Sequence, residues 1–389
     1  MIPPLGRLFV AVVLVNGVFD AIRVAVSYRV LALGGDATSV GLVAAMFAVV
    51  PMFLALRFGR LVDRRGSKGI FVVGITTAAV AVAGAAASPS LLLLAAANTV
   101  LGLGQIMTLI GAQGFVMELL ERDRHVNGFA MFTLAVSVGQ SVGTPAMGLL
   151  LRAGPGGAVE TAMPLLVTAA VIAAALPFAL SLPRRALPEA GTAAPDRPTP
   201  MTTLLARPGM APAVFASLVV VSGIDLITAY LPVVGENAGL TPLVVTLLVA
   251  TRSVLSMAAR AATPWVLRRW GQRAVLLAAP AVATPALIVL GVSGHVLVLG
   301  AALAAIGLVW GLNQPVTMNW VTAAAPSGNR AAALSLRITG NRAAQVAMPL
   351  AAGVVAGAAG PGGVFLLSGA ASAATALSTV VSLRRGHGP

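Results

Sequence analysis

Ionisable side chains inside otherwise apolar stretches of this sequence are the candidates for chemistry: Asp20, Arg23, Asp225, Arg252, Arg337 and Arg342. Placing a charge inside such a segment is expensive, so each is a candidate for function. A carboxylate there can hold or release a proton as its surroundings change. A guanidinium offers a planar fork of donors suited to a carboxylate or phosphate. Four Arg against two Asp leave an excess of positive charge, which favours an anionic ligand. Spacing sorts these residues by helical face. Asn16, Asp20, Arg23 and Ser27 stand at i, i+4, i+7 and i+11, one stripe. Ser222, Asp225 and Thr228 make a shorter stripe. Arg337, Asn341 and Gln345 follow i, i+4, i+8, with Arg342 turned away by more than a quarter turn. Asn98, Gln105 and Gln113, and again Asn313, Gln314 and Asn319, add uncharged donors and acceptors able to orient a polar ligand. A structural reading stands beside the functional one. Asp20 and Arg23 could neutralise each other along one helix, and Arg342 could be tied to Asp20 or a carbonyl instead of a ligand.

The elements that must position these groups are long and apolar. The chain has 389 residues, 58% hydrophobic and 9% charged, whereas soluble domains are about one quarter charged. Its solvent is therefore a membrane. At about 20 apolar residues per crossing, twelve runs can be counted: 8–32, 38–56, 70–87, 91–117, 126–151, 161–182, 211–234, 240–259, 273–293, 295–323, 331–358 and 362–383. The first carries Asp20 and Arg23 and lacks a small-residue cleavage site, so it reads as helix 1. The fold class expected is an all-α membrane protein. At about 1.5 Å per residue, Asp20, Arg23, Asp225, Arg252 and Arg342 lie roughly 18–22 Å from the mouth of their helices. Arg337 is shallower. The hydrocarbon is about 30 Å thick, so most of these side chains cannot reach water by snorkelling.

The net charge of +14 would suggest nucleic acid in a soluble chain. Its placement gives another meaning. Arg57, Arg60, Arg64, Arg65 and Lys68 fall after run 2, Arg122 and Arg124 after run 4, and Arg184, Arg185, Arg197 and Arg207 after run 6. Arg260, Arg268, Arg269 and Arg273 follow run 8, Arg330 follows run 10, and Arg384 and Arg385 end the chain. The alternate turns hold little beyond Asp36, Arg152, Glu160 and Glu236. Basic loops on every second turn place them, and both termini, in the cytoplasm. Nucleic acid is then an unexpected partner, and a multi-pass protein of the plasma membrane, of bacterial inner-membrane type, is expected. The chain has no Cys, hence no disulfide and no thiolate metal site. His125, His295 and His387 are scattered over loops and tail. Neither a metal nor a cofactor is expected.

Residues 183–210 are rich in Pro, small residues and charge, and read as a cytoplasmic linker. They divide the chain into 1–182 and 211–389, six runs each. The halves are repeats. Asp20 and Asp225 are 205 positions apart, Arg57 and Arg260 203, Asn127 and Asn329 202, and RRG at 64–66 faces RRWG at 268–271. In that comparison Val266 stands near the place of Asp63.

Gly59 to Lys68 reads G-R-L-V-D-R-R-G-S-K. Its pattern, G-x-x-x-D-R-x-G-x-K between the second and third runs, resembles the loop joining helices 2 and 3 of the major facilitator superfamily of secondary transporters. The resemblance covers the whole chain in topology and is sharp in sequence only here. It implies 12 transmembrane helices in two pseudo-symmetric six-helix bundles, with midplane sites in such folds. It also implies that helices 3, 6, 9 and 12, whose runs lack charge, are the outer ones. Gly59, Asp63, Arg64, Gly66 and Lys68 then take the family's role of a cytoplasmic latch. Helix 5 carries Gly139, Gly143, Pro145 and Gly148, similar to the Gly/Pro motif of proton-coupled drug antiporters except that Thr144 separates Gly143 from Pro145. Helix packing explains the same small residues. Asn98, ahead of Gly102 and Gly104, stands where the family has an Arg linked to proton handling. Proton coupling, if present, falls to Asp20 and Asp225.

The function expected is secondary transport of a small organic solute, anionic by the Arg excess, by alternating access in a monomer, with protons as a possible partner. Efflux of a neutral or amphiphilic drug or metabolite is the alternative. A membrane-embedded enzyme would need a nucleophile, metal or acid pair, and no such motif is present. A channel or non-transporting receptor with this fold is the remaining class.

Overall fold

The computed structural model describes residues 3–121, 125–153, 159–183, 201–325 and 330–386. The first crossing is two helices, α1 (Pro4–Asn16) and α2 (Phe19–Ala32), followed by α3 (Ala37–Arg65), α4 (Ser67–Ala87), α5 (Leu91–Leu119) and α6 (His125–Leu150). The sixth crossing is α7 (Ala162–Ala173) with α8 (Leu176–Leu180). A short α9 (Met201–Leu205) precedes α10 (Met210–Asn237), α11 (Pro242–Val292), α12 (Val296–Ala324) and α13 (Arg330–Arg384). One small departure from an all-helical chain is a two-residue antiparallel ribbon, β1 (Arg152–Ala153) with β2 (Val159–Glu160), which sets Arg152 opposite Glu160.

Nine of the described stretches are long and apolar enough to cross a bilayer, and two of these run to 51 and 52 residues. Each long one breaks at a glycine of positive φ, Gly271 at 76° and Gly360 at 75°. Only glycine adopts that conformation without strain, and each break turns one long helix into two crossings. With α6 the total is twelve transmembrane helices in two six-helix bundles. Leu92, Leu297 and Val354 are largely exposed. Such surfaces would aggregate in water, but they match lipid, while helical bonding satisfies the backbone within each span.

Two helices outrun their apolar stretches. The second apolar run holds as a candidate span, Ala37–Ala55, while α3 itself runs on to Arg65 and α11 to the break at Gly271. Gly59 to Arg65 is helical, and only Gly66, at φ 79°, makes the turn. Hydropathy marks where the bilayer ends, and a helix can continue into water beyond it. Met201–Leu205 is helical, with Leu204 buried in a cluster with Met210, Val316, Trp320 and Leu336.

The residues form two compact units, Met1–Thr192 with Thr241–Ala250, and Ala193–Leu240 with Thr251–Pro389. In the first, α4 lies along α5 and α5 along α3. Phe71 and Phe115 meet edge to face there, with ring centroids 5.9 Å apart. In the second, α10 lies along α13 and α12. Asp36 caps α3 by accepting from the Ser39 amide at 2.8 Å, and that bond, aided by the Ser39 hydroxyl, holds its carboxyl below the usual range.

Candidate functional site

In the first unit the polar stripe of helix 1 is interrupted. Gly17 and Val18 separate α1 from α2, between Asn16 and Asp20. The expected unbroken stripe is thus carried by two helices. This interruption lies at a crossing with α6. A Cβ on Gly17 would lie 2.6 Å from the Gly139 Cα, and one on Gly143 would run into the Gly17 carbonyl. Backbones this close tolerate no side chain, as in small-residue helix contacts generally. Asn16, Asp20 and Ser27 are buried. Arg23 is half-buried, with its guanidinium carbon 4.4 Å from the centre of the Phe47 ring, a cation–π geometry. Ser27 donates to the Arg23 carbonyl.

Asn98 donates to the Val43 carbonyl at 2.6 Å, tying α5 to α3. Gln105 is half-buried on the same helix. Gly148, further along α6, faces Leu243 and Thr246 of the segment that groups with this unit. Pro145 lies inside α6, and the Thr144 hydroxyl beside it is buried without a hydrogen-bond partner among the described residues.

In the second unit three residues form a chain. Gln345 Nε2 donates to Asp225 Oδ2 at 2.6 Å, and Arg342 Nη1 donates to Gln345 Oε1 at 2.9 Å. Arg342 was expected to turn away from the Asn341–Gln345 face. Its long stem and the i, i+3 spacing let the guanidinium reach back instead. Asn341 Oδ1 accepts from Ser217 at 3.1 Å. Ser222 and Thr228 donate to carbonyls of their own helix, which explains why the helix 7 stripe offers little beyond Asp225. Arg252 is buried and donates to Ser253. Asn313 is buried. Arg337 is half-buried, and its Nε is buried without a hydrogen-bond partner among the described residues.

The repeat holds at the level of contacts. A Cβ on Gly102 would strike the Phe47 carbonyl, and one on Gly307 would strike the Arg252 carbonyl. Both residues of the second pair lie 205 positions after the first. Phe47 and Arg252 are therefore equivalent. The cation sits on helix 1 over an aromatic ring in one unit, and on helix 8 in the other. At the other crossing, the 202-residue offset puts Asn341 and Gln345 where Gly139 and Gly143 stand. Bare backbone contact in the first unit is replaced by hydrogen-bonding amides in the second.

The two turns obey the same register. Gly66 and Gly271, 205 apart, share φ near 79° and 76°. Arg268, two positions after Val266, therefore occupies the place of Asp63. Asp63's side chain lies outside the described residues. Arg64 is exposed. Lys68 bonds within its own unit, donating to the Leu180 and Leu182 carbonyls at 2.6 Å each, where a cation complements a helix C-terminus. Glu118, which sequence reading passed over, accepts from the Ser67 amide at 2.8 Å and hydroxyl at 2.7 Å. Its only signal is a lone acid closing an apolar run. In the second unit Gln272, at the place of Ser67, donates to the Val316 carbonyl and accepts from Asn319. The charged tie has become neutral.

A model of the Major Facilitator Superfamily matches residues 8–327 and again 217–388. The chain belongs to the major facilitator superfamily. Solved structures give the same fold for this superfamily member. A variant of the nucleoside transporter NupG superposes with TM-score 0.82 at 14% identity, covering 98% of this chain and all of that one. A bacterial homologue of the human lysosomal transporter Spinster, inward-facing and unoccupied, gives 0.74 at 13% identity, covering 98% and 96%. A POT family transporter in complex with 5-aminolevulinic acid gives 0.77 at 12%, covering 97% and 95%. No curated protein matches the sequence. The superfamily makes this chain a secondary transporter embedded in a membrane.

Proposed function

We propose that this transporter moves a small organic anion by alternating access, coupled to protons through Asp225 and Asp20. The observation that carries the reading is the Arg337 Nε, a buried donor with no hydrogen-bond partner among the described residues. A buried cationic donor left unmatched is unfavourable. A carboxylate or phosphate on the substrate would satisfy it. The count of Arg23, Arg252, Arg337 and Arg342 against Asp20 and Asp225 supports the same sign of ligand.

The Asp225–Gln345–Arg342 chain supplies a coupling mechanism. While Asp225 is ionised, Gln345 holds its amide towards the carboxylate and its carbonyl towards Arg342. Protonation of Asp225 removes the negative charge at the end of that chain. Arg342 is then less compensated and attracts an anion more strongly. Proton and anion would bind together and leave together.

The experiment is counterflow and gradient-driven uptake in proteoliposomes, with carboxylates, phosphate esters, and neutral and cationic amphiphiles. Anion exchange that an imposed pH gradient drives uphill in wild type, but not in Asp225→Asn, is the expected result. Transport of neutral or cationic compounds alone would overturn it and favour the efflux reading. One feature supports that alternative. A cleft of about 310 Å³ beside the helix 1 break is lined almost wholly by apolar side chains, among them Val13, Val18, Val138 and Met147.

A further inference from the structure

The turn between the eighth and ninth spans has exchanged its chemistry relative to its repeat. In the register set by Gly66 and Gly271, Arg60 becomes Trp265, Arg65 becomes Trp270, and Asp63 becomes Arg268. Lys68 becomes Arg273. The first turn mixes acid and base and spends its lysine on carbonyls of its own unit. The second, Pro264 to Val275, contains no acid.

Trp265 and Trp270 meet edge to face, with ring centroids 5.4 Å apart and planes at 76°. They are 55% and 59% exposed, whereas Trp310 and Trp320 are buried. Arg268, Arg269 and Arg273 are exposed around them. Two large rings left in water would be unfavourable, and their depth indicates another medium. Trp265 lies 23 residues after Pro242, the start of α11. At about 1.5 Å per residue that is about 35 Å, just past a hydrocarbon layer of about 30 Å. Indole rings favour that interfacial zone. Guanidinium groups at the same level meet lipid phosphates.

We propose that Trp265, Trp270, Arg268, Arg269 and Arg273 form a binding site for the headgroup of an anionic phospholipid. The rings seat in the glycerol and upper acyl region, and the three Arg hold the phosphate. Choline lipids offer the same phosphate with a cation beside it, so the site discriminates by net charge. The first unit's turn, with Asp63 and Glu118 near its basic residues in sequence or structure, lacks that selectivity.

The test uses the full-length protein in lipid nanodiscs and reads Trp fluorescence. Dibrominated phosphatidylglycerol or dibrominated phosphatidylcholine is added at equal mole fraction. Stronger quenching by the glycerol lipid is expected, and Trp265→Phe with Trp270→Phe should remove the difference. Arg268→Gln, Arg269→Gln and Arg273→Gln together should equalise the two lipids, at about a fivefold loss of enrichment per Arg. These positions are exposed, and elution as a monodisperse peak checks that the variants fold. Equal quenching in wild type, or undiminished preference in the triple variant, would overturn the proposal. So would loss of preference on adding free glycerol phosphate at millimolar concentration, since a site for soluble phosphate needs no lipid.

Discussion

Gln345 donates its amide to Asp225 at 2.6 Å, joining the eleventh span to the seventh. At the equivalent crossing in the first unit, Gly139 and Gly143 instead press against Gly17. One repeat uses the crossing for backbone contact and the other uses it to hold a carboxylate.

Removing the amide should therefore alter coupling before it alters folding. Gln345→Ala is expected to move the pH dependence of transport, while Asp225→Asn abolishes gradient-driven accumulation and spares exchange. A hydrogen bond to a charged group contributes about 1.5–3 kcal/mol. A double-mutant cycle on thermal stability should return a coupling of that order. Additive effects on stability, with an unchanged pH profile for Gln345→Ala, would detach the pair from the mechanism.

Arg337→Gln should weaken binding of an anionic substrate by about ten- to a hundredfold, the equivalent of one charge-assisted hydrogen bond. Arg337→Lys should restore only part of it, because a lysine lacks the fork. Binding isotherms on purified protein decide the matter. Equal affinity in wild type and Arg337→Gln would remove Arg337 from the site.

The crossing at Gly17 is predicted to be intolerant. Gly139→Leu must force the two helices apart, and overpacking of that kind costs about 1–3 kcal/mol or more. Asn341→Leu, at the equivalent place in the second unit, loses only the bond to Ser217 and should cost about 0.5–1.5 kcal/mol. Melting temperatures in one detergent compare them, and a Gly139→Leu variant as stable as Asn341→Leu would contradict the close-contact reading.

Lys68→Ala and Glu118→Ala should each lower the melting temperature, because each strips hydrogen bonds from a helix end. Glu118→Ala should have the larger effect, since it leaves the Ser67 amide and hydroxyl without their acceptor. If both variants melt like wild type, the first turn is not held by these bonds.

The orientation inferred from the basic loops can be measured directly, because the chain has no cysteine of its own. Glu236 and Arg269 are both exposed. Glu236→Cys should react with a membrane-impermeant maleimide on intact cells, and Arg269→Cys only after lysis. The reverse pattern would invert the topology.

The sequence by itself determined the membrane, the twelve spans and the repeat. Each depends on local composition: an apolar run long enough for the bilayer, a basic loop, a landmark that returns after about 205 positions. It also found the charged residues, since a charge in an apolar run is conspicuous wherever the helix packs. Tertiary structure decided what those residues touch. The close approach of Gly17 to Gly139 and Gly143 joins segments far apart along the chain and leaves no mark in the hydropathy of helix 1. Arg342 reaches Gln345 because a long side chain overrides the angle assigned by periodicity, and Lys68 finds the end of α8 across 112 residues. The register that puts Arg268 in the place of Asp63 came from two glycines sharing a positive φ, a backbone property that residue identity suggests and only the folded chain fixes.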